Sequence, residues 1–439
     1  MDKSSGFRLS VGVKVAICAI VFAAPIIFLT LAYTKTRQEA IDFANWELKG
    51  NAYMRPLSRL LTDVERHQLA LQSCAGIADC PGKRKELAAK VDANFAKLAE
   101  ANQKYAADLE FTNEGLAKRG RQTATVALAS QAWTAIKSAA DGVGLDGNVP
   151  SKLNDQYAAL QVTLRTIVTH AGDTSKLILD PDLDSYYEMD VTLLAVPQAL
   201  DRLPDVAVVG RNLLTKLAAD PAAGIAHESR IQMAVFAATM DEADAARIKA
   251  SQETALTEDP NFYGASPTFA PALRPKLAAY LAAAAAFSDA ARKIGANNTS
   301  GMTPESFVAS GLAAHDAALA LQEVAIDELD KLLELRIKDY VARRDADLVG
   351  SAIALLLALA LSFYFARSIT KPLVRLVGSL GPGATLLAQC ATKVGEVTSK
   401  EKPDPELLGI IVEELTAHAQ EMNKAVAELT AHVKGRAGT

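Results

Sequence analysis

LVGSAIALLLALALSFYFARSITKPLVRLVGSL, Leu348 to Leu380, is the stretch that decides how this chain is organised. Its first nineteen residues, 348–366, carry no charge. At ~1.5 Å per residue they are long enough to cross a bilayer core of ~30 Å. The sequence then turns basic and amphipathic without a break, with Arg367, Lys371 and Arg375 along it. A spanning helix that continues directly into a surface helix can carry a displacement from one side of a membrane to the other.

Working outward, a second apolar segment lies near the start. Val15–Thr34 is uncharged over twenty residues and follows Lys3, Arg8 and Lys14. A cleaved signal peptide would have an apolar region of ~7–15 residues and a small-x-small cleavage site. The longer run and the following LAYTKT favour an uncleaved anchor. Basic residues before the first span and after the second place both termini on the cytoplasmic side. Lys35, Arg37, Arg343 and Arg344 sit on the other side of the spans. The 313 residues between them, 35–347, form a long segment that crosses largely regardless of charge.

Half of the residues are apolar but only 6% are aromatic. The apolar ones are largely Ala and Leu, which suits helix packing rather than strands. A net charge of −5 argues against a nucleic-acid partner. No Gly-rich nucleotide loop, HExxH metal motif or catalytic constellation is present, so an enzyme, a cofactor and a metal site are not expected. Cys18 and Cys390 fall in the first span and the tail. Cys74 and Cys80 lie together in SCAGIADCPG, where an oxidising compartment would close them into a disulfide.

Nearly all of 35–347 reads as helix. Ile41, Ala44, Leu48, Leu57, Leu60, Leu61 and Val64 recur at three and four spacing, with Gly50 and Pro56 as candidate bends. Further helices are predicted over 83–140 (with an interruption near 112–115), 151–179, 225–256 and 268–294. Another starts at Thr303-Pro304-Glu305 and runs to the second span. Asp141–Pro150 and Thr257–Pro267 read as loops. At 180–184, Asp180 reads as an N-cap and Pro181 as the first helical residue, with Asp182 and Asp184 in the first turn. That account is preferred to a calcium loop, because Ser185 and Val191 stand where Gly and Glu are required. Long first and last helices that both enter the membrane point to two four-helix bundles stacked end to end, with one double-length bundle as the alternative.

ARSITKPLVRLV, Ala366–Val377, resembles the opening of a HAMP linker, the parallel four-helix coiled coil of bacterial transmembrane receptors. LILDPDLDSYYEMD, Leu177–Asp190, is similar to a segment of the helical sensory regions of bacterial chemoreceptors and sensor kinases. The resemblance implies a dimeric two-span receptor of the bacterial inner membrane, with Arg367, Pro372 and Leu373 in its relay. The connector of a HAMP linker is normally short, whereas here the candidate connector Gly381–Pro405 is long. The expected organisation is a cytoplasmic tail at 1–14, spans at 15–34 and 348–366, and an extracytoplasmic sensory region at 35–347. A HAMP-like linker at 367–407 and a coiled coil at 408–434 follow.

The tail supports a coil without any family. Leu408, Leu415, Met422 and Leu429 recur every seven residues, as do Val412, Ala419, Val426 and Val433 between them. Mostly β-branched a positions with leucines at d favour a parallel homodimer. For the ligand, Arg165, Tyr186, Tyr187, Arg202 and Arg211 could line a pocket for a small anion, since Arg forks onto carboxylates. The expected function is an all-helical receptor for a small extracytoplasmic molecule that signals to a separate cytoplasmic protein. A membrane-anchored helical scaffold that binds no ligand is the alternative.

Overall fold

The computed structural model describes residues 11–72, 79–145, 149–399 and 405–436, and among them there are helices but no strands. The helices are α1 (Val11–Gln72), α2 (Cys80–Tyr105), α3 (Asn113–Lys118), α4 (Val126–Ala140), α5 (Ser151–Thr174) and α6 (Leu183–Met189). They continue with α7 (Val196–Ala219), α8 (His227–Thr239), α9 (Ala246–Glu258), α10 (Phe269–Gly295), α11 (Pro304–Thr398) and α12 (Pro405–Arg436). The chain divides into two compact units, 37–343 and the two flanking pieces 1–36 with 344–439.

The start of α11 shows how local chemistry sets a boundary. Ser306 N–H donates to Thr303 Oγ1 at 3.1 Å, and Thr303 N–H donates to Ser306 Oγ at 3.0 Å. This reciprocal pair satisfies two amides at the end of the helix, while Pro304 occupies a position needing no donor. Neither Gly50 nor Pro56 interrupts α1.

Within 37–343, α1 and α11 lie antiparallel, joined by a ladder of polar rungs. Asn51 Nδ2 donates to Ile326 O and Asp330 Oδ1, both at 2.8 Å. Arg55 pairs with Asp330 at 2.7 Å and with Asp327, Arg59 pairs with Glu323 at 2.9 Å, and Arg66 pairs with Asp316. From Arg55 through Arg59 to Arg66 up α1, the partners run down α11 from Asp330 and Asp327 through Glu323 to Asp316.

Two apolar cores flank this pair. One takes Leu57, Leu60 and Val64 of α1 with α2, α4 and α5, around Trp133, Tyr157 and Leu164. The other takes Phe307, Ala314 and Leu321 of α11 with α7, α8, α9 and α10, around Leu203, Phe269 and Phe287. Both run along the same length of the α1–α11 ladder. α1 and α11 each turn their main apolar stripe to a different set of helices.

Gly210 of α7 permits one of the closest approaches. A Cβ there would lie 2.2 Å from Phe307 Cε1 of α11. Ala favours a helix over Gly by ~1 kcal/mol, whereas forcing a ring aside in a filled core costs ~1–3 kcal/mol. Gly210→Ala is accordingly expected to destabilise the unit by about 1–2 kcal/mol. Chemical denaturation measures this, and an unchanged or raised midpoint would show that the core yields there.

Among the described residues two helices are long and apolar enough to cross a membrane, α1 and α11, with windows of mean hydropathy 2.4 and 2.3 in which no residue is buried. Ile20, Phe22, Phe28 and Leu31 of α1 and Leu356, Leu357, Phe363 and Phe365 of α11 are exposed. Contiguous apolar surface of this kind needs an apolar covering.

In the second unit α11 continues through Gly381-Pro382-Gly383 to Thr398. The predicted connector is thus mostly helix, since three residues with weak helix preference did not outweigh the turns on either side. Residues 400–404 lie outside the described ones, as do 1–10 of the expected cytoplasmic tail. The end of α11 then meets α12: Cys390 and Ile411 are buried together, with Val394, Leu408 and Leu415 against them. A Cβ on Gly383 would touch Met422 Cγ at 3.2 Å. Leu408, Leu415 and Met422, expected to form a seam with a second chain, face α11 of their own chain, while Val412 and Val426 remain exposed. The side chains of Leu429 and Val433 lie outside the described ones.

Candidate functional site

Residues 175–182 turn the chain between α5 and α6. Lys176 takes a left-handed backbone (φ 64°), a short 3₁₀ turn covers Leu177–Leu179, and α6 begins at Leu183. Asp180 is not an N-cap, which corrects the expectation for it. Its Oδ1 accepts from Asp182 N–H at 3.0 Å, and the same oxygen receives Arg336 Nη2 at 2.6 Å.

Arg336 of α11 is the hub. It is 1% exposed. Nη1 donates to Glu47 of α1 at 2.8 Å, Nε lies 2.6 Å from Asp182 Oδ2, and Nη2 also meets Ser185 Oγ. Tyr263 of the 257–267 loop donates to Asp182 Oδ2 at 2.7 Å and stands 3.0 Å from Tyr340 Oη. One guanidinium thus joins α1, the 180–185 turn and α11.

Three carboxyls face one cation, so they cannot all ionise in so dry a place. Glu47 is pushed up to about 9, by burial first and by Asp180 second. Burial pulls Arg336 down, but Asp180, Glu47 and Asp182 outweigh it and its pKa rises. Glu47 Oε1 and Asp180 Oδ2 receive no hydrogen bond from other groups. A proton held on Glu47 and shared with Asp180 satisfies both. A little further along, Glu188 is fully buried, accepts from Gln252 Nε2 at 2.5 Å, and is pushed up to about 8 by burial.

A cavity of about 230 Å³ opens between α1, α5, α7 and the 190–195 segment. Its walls are mainly aliphatic, with Leu61, Val168, Ile178, Leu193 and Pro197 among them. The 190–195 segment is a π turn, in which Val196 N–H reaches Val191 O. Pro197, with no N–H, cannot make the next such bond to Thr192 O. Gln322 Nε2 of α11 fills that vacancy, donating to Thr192 O at 3.0 Å.

The five residues expected to form an anion pocket are not brought together. Arg165 lines the cavity, but its Nε is already held by Asp201 at 2.7 Å. Arg202 pairs with buried Asp244 at 3.3 Å, and Arg211 reaches Gln72 O at 3.3 Å and Asn212 at 2.9 Å. Tyr186 is exposed and lies edge-on to Tyr187 at 5.3 Å, while Tyr187 packs on the second core. Their arginines have carboxylate or carbonyl partners from neighbouring helices, which spacing along the chain does not reveal. Cys80 is disulfide-bonded, and Cys74 lies outside the described residues. Pro372 sits inside α11 without ending it, Arg367 is exposed, and the side chain of Leu373 lies outside the described ones.

Sequence reasoning missed Glu47, Arg336, Glu65 and Gln322. A signal for Arg336 was present: Ala325, Leu329, Leu332 and Arg336 recur at four-three-four spacing, so the arginine stands on the buried stripe of its helix.

These features define an all-helical protein with two apolar helices of spanning length and a buried charge cluster that joins them. No family model matches the chain, and no curated protein matches it. Among solved structures, the structure of the NasR transcription antiterminator is similar at 16% identity, covering 92% of this chain and 99% of that one, with a TM-score of 0.35. At that score the likeness carries no inference about what this chain does.

Proposed function

We propose that this chain is a two-span signal-transduction receptor of the chemoreceptor kind, set in a bacterial inner membrane with both termini in the cytoplasm. Its 35–347 region senses a small molecule outside, and a HAMP-like segment after Ala366 relays the state to a separate cytoplasmic protein. The observation that carries this reading is the pairing of α1 with α11. The two helices with spanning segments are also the two joined by the polar ladder and by Arg336. A shift of one against the other by ~1–2 Å, typical of such switches, would travel along unbroken helices.

The test uses the full chain in membranes, with Val412→Cys as a reporter in a background of Cys18→Ser and Cys390→Ala. A receptor is expected to show cross-linking between two copies, changed at least twofold by a member of a metabolite panel. Four glycines inserted after Ala366 should abolish that response. Cross-linking indifferent to every metabolite and to the insertion would instead favour a scaffold.

A further inference from the structure

The cavity beside Glu65 has a chemical character that the receptor reading does not use. Ser58, Thr62 and Glu65 recur at i, i+4 and i+7 on α1, so they form a polar stripe down an otherwise aliphatic wall. Ser58 is 5%, Glu65 4% and Gln322 1% exposed. Ser58 Oγ, both carboxyl oxygens of Glu65 and Gln322 Oε1 are all buried without a hydrogen-bonding partner among the described residues. Orphaned groups at such depth each cost ~1–3 kcal/mol. Three of them in one cavity are a reason to look for a ligand.

The charges select its sign. Arg165 stands 3.8 Å from Glu65 but is held by Asp201, and Asp205 adds a further carboxyl nearby. Asp173, also on the wall, is matched by Arg121 at 2.7 Å. What remains is three carboxyls, Glu65, Asp201 and Asp205, against one guanidinium. An anion would find no cation free of carboxylates here, whereas a cation would find a carboxyl whose one guanidinium, at 3.8 Å, is shared with Asp201.

The polar groups lie at two ends. Ser58 and Glu65 are seven residues apart, about 10 Å along a helix. Gln322 of α11 falls towards the Ser58 end, by the ladder that sets Arg59 against Glu323. Between the ends the wall is aliphatic. We propose that this cavity binds a linear aliphatic ammonium ion, its charged head on Glu65 and a neutral polar group at its far end against Ser58 and Gln322. The assignment deepens the receptor reading by naming the ligand class, and it rests on that reading only for the consequence of binding.

Burial, then the neighbouring Asp201, hold the Glu65 carboxyl well above its usual range, so the empty site carries a proton there. An ammonium head takes that proton's place. Glu65 releases H⁺ to solvent, and the ammonium N–H groups donate to the carboxylate left behind. Binding is thereby coupled to the release of about one proton.

The experiment is calorimetric titration of the full chain in nanodiscs at pH 7 with 6-aminohexan-1-ol, using 6-hydroxyhexanoate as the anion of like length. The amine is expected to bind and the anion not, with about one proton released when buffers of different ionisation enthalpy are compared. Glu65→Gln, which mimics the neutral carboxyl, should weaken the amine at least tenfold, and Ser58→Ala severalfold. Leu194→Trp, on a half-open part of the wall, should block binding without lowering the melting temperature. Binding of the anion as tight as that of the amine overturns the proposal, and so does full affinity in Glu65→Gln or no binding of the amine at all. Amine binding that leaves Val412→Cys cross-linking unchanged would leave the site standing and remove the receptor reading instead.

Discussion

Arg336→Met is expected to destabilise the 37–343 unit by about 3–5 kcal/mol, the usual loss when one partner of a buried ion cluster is removed. The methionine fills much of the space but leaves Asp180 and Asp182 in a dry site with no cation. For a domain of this size the fall in melting temperature should be roughly 6–15 °C. Arg336→Lys should recover only part of it. A single ammonium cannot present the fork that reaches Glu47, Asp180 and Asp182 together. Adding Asp180→Asn and Asp182→Asn to Arg336→Met should restore more than half of the loss, because no uncompensated charge then remains. A fall below about 1 kcal/mol in Arg336→Met would show that the cluster contributes little net stability.

The second large effect is pH dependence. Glu47 and Glu188 are pushed up to about 9 and about 8, so the folded chain holds protons that the unfolded chain gives up near 4.5. Stability therefore falls as pH rises from there until each group's folded value is passed, by ~1.4 kcal/mol per unit for each group. His67 and His315 act in the opposite direction. Burial lowers them to about 4 and about 3, so they add stability as pH rises, up to their unfolded value of 6.5. Glu65, held well above its usual range by burial, acts with the two carboxyls, so the two histidines offset only part of the loss below pH 6.5 and none of it above. Between pH 6.5 and 9 a decline on the order of 3–5 kcal/mol is expected. Asp184 and Asp244, each pushed to about 6, share the sign of the carboxyls but finish below that window. Melting temperatures across pH 5–9 check the shape. In Glu188→Gln the slope should be shallower than the native one up to pH 8 but not abolished, because Glu47 and Glu65 still hold protons in the folded state. A stability that rises from pH 7 to 9 would contradict the assignment of protons to Glu47 and Glu188.

Much of this architecture is legible in the sequence because it is encoded locally. Thr303-Pro304 starts α11 as read, since its cap is made by Ser306, three residues away. The uncharged runs at 15–34 and 348–366 lie in helices whose apolar windows are unburied, as their composition predicts. Asp180 was misread for the opposite reason. An Asp before Pro has a good local use as a cap, and only its partner 156 residues later, Arg336, gives it a different one. The arginines assigned to an anion pocket show the same dependence: each is held by a carboxylate or carbonyl on another helix. The tail heptads were real, but a repeat does not say which helix will face it. Here Leu408 and Leu415 meet Val394 and Cys390 of their own chain.

By itself the sequence determined that this protein is helical, where most of its helices run, and that two of them can cross a membrane. Those properties follow from propensity, capping and hydropathy, which act over a few residues. The tertiary structure alone decided the antiparallel register of α1 and α11, the division of the apolar residues into two cores, the protonated cluster on Arg336 and the buried Glu65 in its cavity. Each of these depends on the dielectric and on partners supplied from far along the chain. Burial makes a carboxyl keep its proton or seek a cation, and burial is a property of the folded molecule rather than of any stretch within it.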